Sequence, residues 1–191
     1  FQEYIDDFEK YDNMCGGFIW DFVDQTLHVK DENGNDNYLY GTDFQGQEPH
    51  KLIDIPNTTA MTGSNVYFCA NGIIGADRKP HPQIVEVKHG YQNIGITAVD
   101  ASNGEFKLKN KFLFTNLSDF NCKWVIKAEG EEVLSGELGK IECAPLEECD
   151  IKIDFDSSKL PKDKEVILTV SFETTKESLG IEKDYEIAFE Q

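Results

Sequence analysis

The spacing of the apolar residues changes once along this 191-residue chain, near Asn93, and that change limits the folds open to it. The first residues repeat at helical spacing with charged residues between them, which predicts an amphipathic helix ended by Asp12-Asn13. The residues on its apolar face are Phe1, Tyr4, Ile5, Phe8 and Tyr11. After Asn93 apolar residues recur at every second position, as in half-buried strands. We therefore predict a two-part α+β chain with domains at residues 1–93 and 94–191.

The first part has the order of an α/β repeat. Residues 18–23 are almost continuously apolar, which predicts a strand buried on both faces of a parallel sheet. Residues 77–91 predict an entry loop and a second helix. A (β/α)8 barrel needs roughly 250 residues. We expect residues 1–93 to be the C-terminal portion of such a barrel, with the rest supplied by a segment upstream of Phe1.

The second part reads as an antiparallel β-sandwich. Its first strand alternates Phe106, Leu108, Phe112 and Phe114, which we expect in the core, with lysines. Turn signals such as Asn103-Gly104 and Glu129-Gly130 separate the strands. The further strand-like runs are residues 122–128, 137–143, 149–155, 166–172 and 185–189.

The net charge and the cysteine content indicate which binding partners and which cellular compartment to expect. The net charge is −18, and each half carries −9, so the acidic surface argues against nucleic-acid binding. Residues 1–11 do not resemble a secretory signal, and no stretch approaches the roughly 20 apolar residues of a membrane span. The five cysteines form no Cys-x-x-Cys pair. We interpret them as reduced, mostly buried thiols of a cytoplasmic protein.

Four motifs in the first 92 residues resemble, in sequence and order, the end of the catalytic barrel of glycoside hydrolase family 2 β-galactosidases. The motif at residues 40–44 departs from the family's usual Tyr-Gly-Gly-Asp-Phe by having Thr42 at its third position. The connection that follows this motif is also longer than is usual in the family. The motifs are Gly-Gly-Phe-Ile-Trp-Asp-Phe-Val-Asp-Gln at 16–25, Tyr-Gly-Thr-Asp-Phe at 40–44, Phe-Cys-Ala-Asn-Gly at 68–72, and Ala-Asp-Arg-Lys-Pro-His-Pro at 76–82 with Glu86, Lys88 and Gln92.

The resemblance implies roles for three residues. Trp20 would form an apolar wall of a galactose pocket, since a flat indole suits the C–H face of a sugar. The backbone carbonyl of Phe68 and the side-chain oxygen of Asn71 would bind Na⁺, and that ion would hold the galactose 6-hydroxyl. From the residues alone, a tryptophan in a buried strand such as Trp20 is more often a core residue, and Asn71 before Gly72 could equally be a turn residue. Asp21 and Asp24 are three positions apart, on opposite strand faces, and are interpreted as hydrogen-bonding residues.

The resemblance also implies that the catalytic machinery lies outside this chain. Retaining glycosidases use two carboxylates roughly 5–5.5 Å apart. In the family the nucleophilic glutamate ends the strand before the helix at Phe1, and the acid/base glutamate and Mg²⁺ ligands lie further upstream. We expect the chain alone to be inactive, and the parent to hydrolyse β-galactosides and to be a homo-oligomer.

Two alternatives stay open at this point. The parent could have another family 2 activity, such as β-glucuronidase or β-mannosidase, although Arg78 is the single arginine available for a substrate carboxylate. The chain could instead be a non-catalytic carbohydrate-binding or structural module whose sandwich is the functional part. A row of exposed aromatic residues on one sheet face would favour that second alternative.

Overall fold

A computed structural model describes residues 1–39 and 70–191 of the chain. It divides into two compact units, Phe1–Gly90 and Tyr91–Gln191. The 40–44 motif, Cys69 and the candidate ligand Phe68 lie outside the described residues.

The amphipathic helix predicted at the start of the chain is confirmed as α1, Gln2–Lys10. Glu3 lies in its first turn and Lys10 in its last, so both charges complement the helix dipole. Ile5 on its apolar face is buried, whereas Tyr4 is 69% exposed within the described residues.

The buried strand predicted over residues 18–23 is wrong for most of its length. Val23 alone forms a β bridge, parallel to Ile74, and Phe18 is fully exposed. A strand needs hydrogen-bonding partners on both edges to be buried in a sheet. Within the described residues this segment pairs on one side only, with residues 71–74.

The rest of the first unit holds a short hairpin and a second helix. Strands β1, Leu27–Lys30, and β2, Asp36–Leu39, pair antiparallel. Their connection turns at Gly34, whose φ of 84° a residue without Cβ adopts easily. The predicted second helix is confirmed as α2, Ile84–Gly90. None of the described helices is long and apolar enough to cross a membrane.

The second unit consists, in its described strands, of two antiparallel sheets. One has the order β3-β4-β7 and the other β6-β5-β8-β9. The strands are β3 Ile94–Asp100, β4 Glu105–Asn110, β5 Phe120–Ala128, β6 Glu131–Gly139, β7 Glu148–Lys152, β8 Val166–Thr174 and β9 Glu186–Glu190. The prediction of several antiparallel strands is confirmed, although β3 was not predicted.

The strand predicted over residues 137–143 is misplaced. Glu129 and Gly130 have positive φ values of 48° and 86°, which is the geometry of a tight two-residue hairpin turn. Pairing therefore resumes immediately after the turn, and Ala128 pairs with Glu131 at the start of β6.

One apolar core is built from residues of both sheets. Fully buried side chains include Ile94 and Leu108 from one sheet and Ile126 and Phe172 from the other. Phe106 is 6% exposed and Phe112 packs against this core, as expected. The prediction that Phe114 is a core residue is wrong, because β4 ends at Asn110 and Phe114 is 92% exposed.

The four described cysteines are free, in agreement with the prediction of reduced thiols. Cys122 and Cys143 are buried and Cys149 is half-buried, but Cys15 is exposed. Burial raises the pKa of the Cys122 thiol to about 12. Because the thiolate is the reactive form, we infer that Cys122 is chemically inert near neutral pH.

The edge of the larger sheet is bound by a side-chain amide. Gln92 Nε2 donates to the Phe189 carbonyl at 3.1 Å, and the Phe189 N–H donates to Gln92 Oε1 at 3.0 Å. The amide thus offers edge strand β9 the same donor and acceptor pair that a neighbouring peptide would.

Gly136 on β6 leaves room for the indole of Trp124 on β5. A Cβ added at Gly136 would lie 2.7 Å from Cζ2 of that ring. Gly136→Val is therefore expected to lower the free energy of unfolding by about 1–3 kcal/mol, because the ring must leave its packing position. Urea unfolding followed by circular dichroism checks this, with Ser135→Val as the neighbouring control. Equal urea midpoints for Gly136→Val and wild type would contradict the packing argument.

Candidate functional site

Two segments that are about fifty residues apart in sequence lie side by side in the first unit. The Asp21 N–H donates to the Asn71 carbonyl at 3.3 Å, and the Asp24 N–H donates to the Ile74 carbonyl at 2.8 Å. In the opposite direction, the Ile74 N–H donates to the Phe22 carbonyl at 3.0 Å. This pairing brings together two residues predicted to belong to one site, Trp20 and Asn71.

The side chain of Asn71 has one satisfied end and one unsatisfied end. Its Nδ2 donates to the Trp20 carbonyl at 3.2 Å, and since a carbonyl can only accept, this contact fixes which end is nitrogen. Its Oδ1 is buried and accepts no hydrogen bond from the described residues. A buried amide oxygen without a partner costs free energy, so it is a position where a donor or a cation would bind favourably.

The indole of Trp20 is 77% exposed in the part of the chain that the structure describes. It is flanked by two further exposed aromatic side chains, those of Phe18 and Phe22, at 100% and 57%. Exposed apolar surface of this kind commonly marks a binding surface or an interface. The peptide bond between Trp20 and Asp21 is cis.

The two aspartates of the first segment, Asp21 and Asp24, accept hydrogen bonds from different partners. Asp21 Oδ2 accepts from Gln25 Nε2 at 2.8 Å, and its Oδ1 accepts from the Phe22 N–H at 2.6 Å. The Gln25 hydrogen bond, followed by that of Phe22, lowers the pKa of Asp21 below its ordinary value. Asp24 Oδ1 accepts from the Gly72 N–H at 2.8 Å. Asp21 is therefore an ionised hydrogen-bond acceptor and not a proton donor.

His81 closes the same cluster from the chain segment that leads into α2. Its Nδ1 lies 3.0 Å from the Gly72 carbonyl, and its Nε2 lies 3.5 Å from Asp24 Oδ2. Gln83 Nε2 donates to the same carbonyl at 3.3 Å. His81 occurs in the 76–82 motif, but its contacts with Asp24 and Gly72 could not be read from one sequence. A pattern of motifs gives no distance between residues that are 57 and 9 positions apart in sequence.

Residues 1–96 match the family model described as glycosyl hydrolases family 2, TIM barrel domain, and residues 106–191 match that of beta-galactosidase, domain 4. The chain belongs to glycoside hydrolase family 2. It is 33% identical over 190 residues to a beta-galactosidase of Priestia megaterium, covering 99% of this chain and 17% of the relative. It is 36% identical over 183 residues to one of Halalkalibacterium halodurans, covering 96% of this chain and 16% of the relative.

A third relative, a beta-galactosidase of Clostridium acetobutylicum, is 33% identical over 183 residues, with 96% of this chain and 18% of the relative covered. The chain thus spans about a sixth of the length of these relatives. The resemblance drawn from the four motifs is confirmed at the level of the family. The roles of Trp20, Phe68 and Asn71 stay predictions.

Proposed function

We propose that the parent protein hydrolyses terminal non-reducing β-D-galactose residues with retention of configuration, and that this chain forms part of its substrate pocket. Family membership and three relatives named beta-galactosidase support the reaction class. The observation that carries the pocket is the contact between Trp20 and Asn71 across two distant segments. Both catalytic glutamates would come from the portion of the parent upstream of Phe1.

In this proposal Trp20 is the apolar wall of the pocket. The described structure leaves most of its indole uncovered, so the ring is available to a ligand or to another part of the parent. A sugar presents alternating hydroxyl and C–H surfaces, and an indole packs against the C–H surface without leaving a hydroxyl unpaired. The pocket wall would thereby favour a galactose orientation with its hydroxyls turned towards polar groups.

A sodium ion fits the described part of the site. Asn71 Oδ1 is a hard oxygen donor that is buried and has no partner among the described residues, and hard cations bind oxygen ligands. Phe68, whose carbonyl would be a further ligand, lies outside the described residues. When bound, the ion would supply positive charge for the galactose 6-hydroxyl. The Mg²⁺ of the parent would use ligands outside this chain; within the described residues no group of three or more His, Cys, Asp or Glu could hold a metal.

The larger organisation is part of the same proposal. Residues 1–93 would be the end of a (β/α)8 barrel, and residues 94–191 an immunoglobulin-like accessory sandwich. The family matches over residues 1–96 and 106–191, and the two sheets that share one core, support it. The parent would be a cytoplasmic homo-oligomer that binds neither nucleic acid nor membranes.

The alternative of a non-catalytic sugar-binding sandwich gains no support from the described surface. The exposed aromatic residues of the second unit, Tyr91, Phe114 and Tyr185, all lie outside the strands. A sugar-binding sheet face would need aromatic residues aligned along neighbouring strands.

The proposal is tested by sodium-dependent hydrolysis in the full-length parent. Asn71→Ala removes the proposed ligand oxygen and is expected to raise the half-saturating Na⁺ concentration about 30-fold. Hydrolysis of a chromogenic β-galactoside, titrated with NaCl at constant ionic strength, measures this. Asn37→Ala on β2 is the matched control and should leave the titration unchanged.

The same assay separates the candidate reactions. Chromogenic β-glucuronide and β-mannoside should be cleaved far more slowly than the β-galactoside, and the 191-residue chain alone should cleave none of them. A parent that prefers either of the other two glycosides would overturn the galactose assignment.

A further inference from the structure

We propose that Asp24 and His81 are positioning residues that fix the peptide of Gly72 and thereby aim the side-chain oxygen of Asn71. The inference rests on the proposed sodium site and adds to it two residues that do not touch the ion. They act on the two peptide units that meet at Gly72: Asp24 on the 71–72 unit through the Gly72 N–H, and His81 on the 72–73 unit through the Gly72 carbonyl.

Both polar atoms of Gly72 are held by side chains. Its N–H donates to Asp24 Oδ1 at 2.8 Å. Its carbonyl oxygen lies 3.0 Å from His81 Nδ1 and also accepts from Gln83 Nε2 at 3.3 Å. Because a carbonyl oxygen only accepts, His81 Nδ1 must carry the hydrogen in this contact. The remaining Asp24 oxygen lies 3.5 Å from His81 Nε2, which closes a ring of three residues.

Burial strengthens the hydrogen bonds of this ring. Gly72 is buried and the Asp24 side chain is 11% exposed, so water competes little for these hydrogen bonds. His81 is also anchored through its own backbone, since its N–H donates to the Ile73 carbonyl at 3.0 Å. The ring is therefore held by the backbone of His81 as well as by its side-chain contacts.

Only glycine fits into the space at position 72. Because glycine has a flexible backbone, its conformation must be restrained by neighbouring side chains. A Cβ there would lie 2.2 Å from the Asp24 nitrogen and 2.5 Å from the Val23 carbonyl carbon. Glycine is the residue with the greatest backbone freedom, so a glycine directly after a ligand residue does not by itself hold that residue in place. The Asp24 and His81 contacts supply this restraint.

The consequence falls on Asn71, because its carbonyl belongs to the 71–72 peptide unit that Asp24 holds, and His81 holds the unit that follows it. That carbonyl accepts from the Asp21 N–H at 3.3 Å, and the Asn71 amide donates to the Trp20 carbonyl at 3.2 Å. A rotation of the 71–72 peptide would break the first contact and move Oδ1 away from its present direction. Residues that orient a metal ligand commonly change metal affinity by roughly 10–100-fold when removed.

The test measures Na⁺ binding to the full-length parent by calorimetry, with choline chloride keeping the ionic strength constant. His81→Leu is expected to raise the Na⁺ dissociation constant about 10-fold, while kcat at saturating Na⁺ stays within about 3-fold of wild type. His81→Gln, whose amide can still donate to the Gly72 carbonyl, should recover part of the affinity. Asp24→Asn keeps the Oδ1 acceptor and should have a smaller effect than His81→Leu. His89→Leu on α2 is the matched control.

The outcomes separate the two proposals. If Asn71→Ala weakens Na⁺ binding but folded His81→Leu, His81→Gln and Asp24→Asn bind Na⁺ as wild type does, the positioning roles are wrong and the sodium site stands. If the wild-type parent binds no Na⁺, the sodium site fails and the positioning roles fail with it. Graded weakening in the order expected above supports both.

Discussion

In the full-length parent, Trp20→Ala is expected to lower kcat/KM for a chromogenic β-galactoside on the order of 100-fold, equivalent to about 2.7 kcal/mol of transition-state stabilisation. Trp20 is 77% exposed among the described residues and its backbone carbonyl accepts from the Asn71 amide, so in the proposed pocket the lost ring is one that would face the sugar. Removing the ring deletes the apolar contact and also lets the sugar tilt. Tilting matters because small misplacements of a substrate reduce reaction rates strongly.

A series at position 20 distinguishes a sugar-binding ring from a merely bulky residue. Trp20→Phe keeps a flat apolar face and is expected to stay within about 10-fold of wild type, whereas Trp20→Leu should resemble Trp20→Ala. Trp124→Phe removes an indole that packs in the core of the other unit and is the control for general effects. A wild-type kcat/KM in folded Trp20→Ala would remove this residue from the pocket.

The second large effect concerns stability. Asn110→Asp is expected to lower the free energy of unfolding by about 3–5 kcal/mol. Asn110 is fully buried, and its Nδ2 donates to the carbonyls of Thr115 and Cys143, both at 2.9 Å. Its Oδ1 accepts from the Phe112 N–H at 3.0 Å. The substitution would turn a carboxylate oxygen towards two carbonyls that then have no donor.

Urea unfolding of the chain, followed by circular dichroism, measures this loss. Asn121→Asp places the same change on half-exposed β5 and should cost less than about 1 kcal/mol. If the two variants unfold at the same urea concentration, Asn110 does not stabilise the second unit in the way its contacts imply.

Periodicity predicted the elements that carry a regular apolar repeat. Helix α1 and strand β5 carry a clear 3.6- or two-residue repeat, and both are present. The strand predicted over residues 18–23 failed because an apolar run reports a tendency to be buried. An apolar run contains no information about which backbone segment will pair with it. Here the described part of the chain pairs with this segment along one side only.

In the candidate site, too, the sequence predicted some residues but not the contacts between them. Motif resemblance singled out Trp20 and Asn71 as residues of one pocket, and the structure places them in contact. The motif resemblance did not reveal the ring formed by Asp24, Gly72 and His81. Those contacts depend on side-chain directions after folding. A sequence can indicate that His81 belongs to a motif without indicating which carbonyl its ring faces.

The amide of Gln92 has a consequence for how this protein can be divided. It occupies the hydrogen-bonding edge of β9 two residues before β3 begins. A recombinant fragment that starts at Ile94 would keep every strand of the second unit but lose both hydrogen bonds that Gln92 makes with Phe189 at that edge. Open strand edges recruit other chains into edge-to-edge association. A fragment that starts at Tyr91 keeps these hydrogen bonds, so we expect it to be a monomer where the shorter fragment associates, and the three residues from Tyr91 to Asn93 decide the outcome.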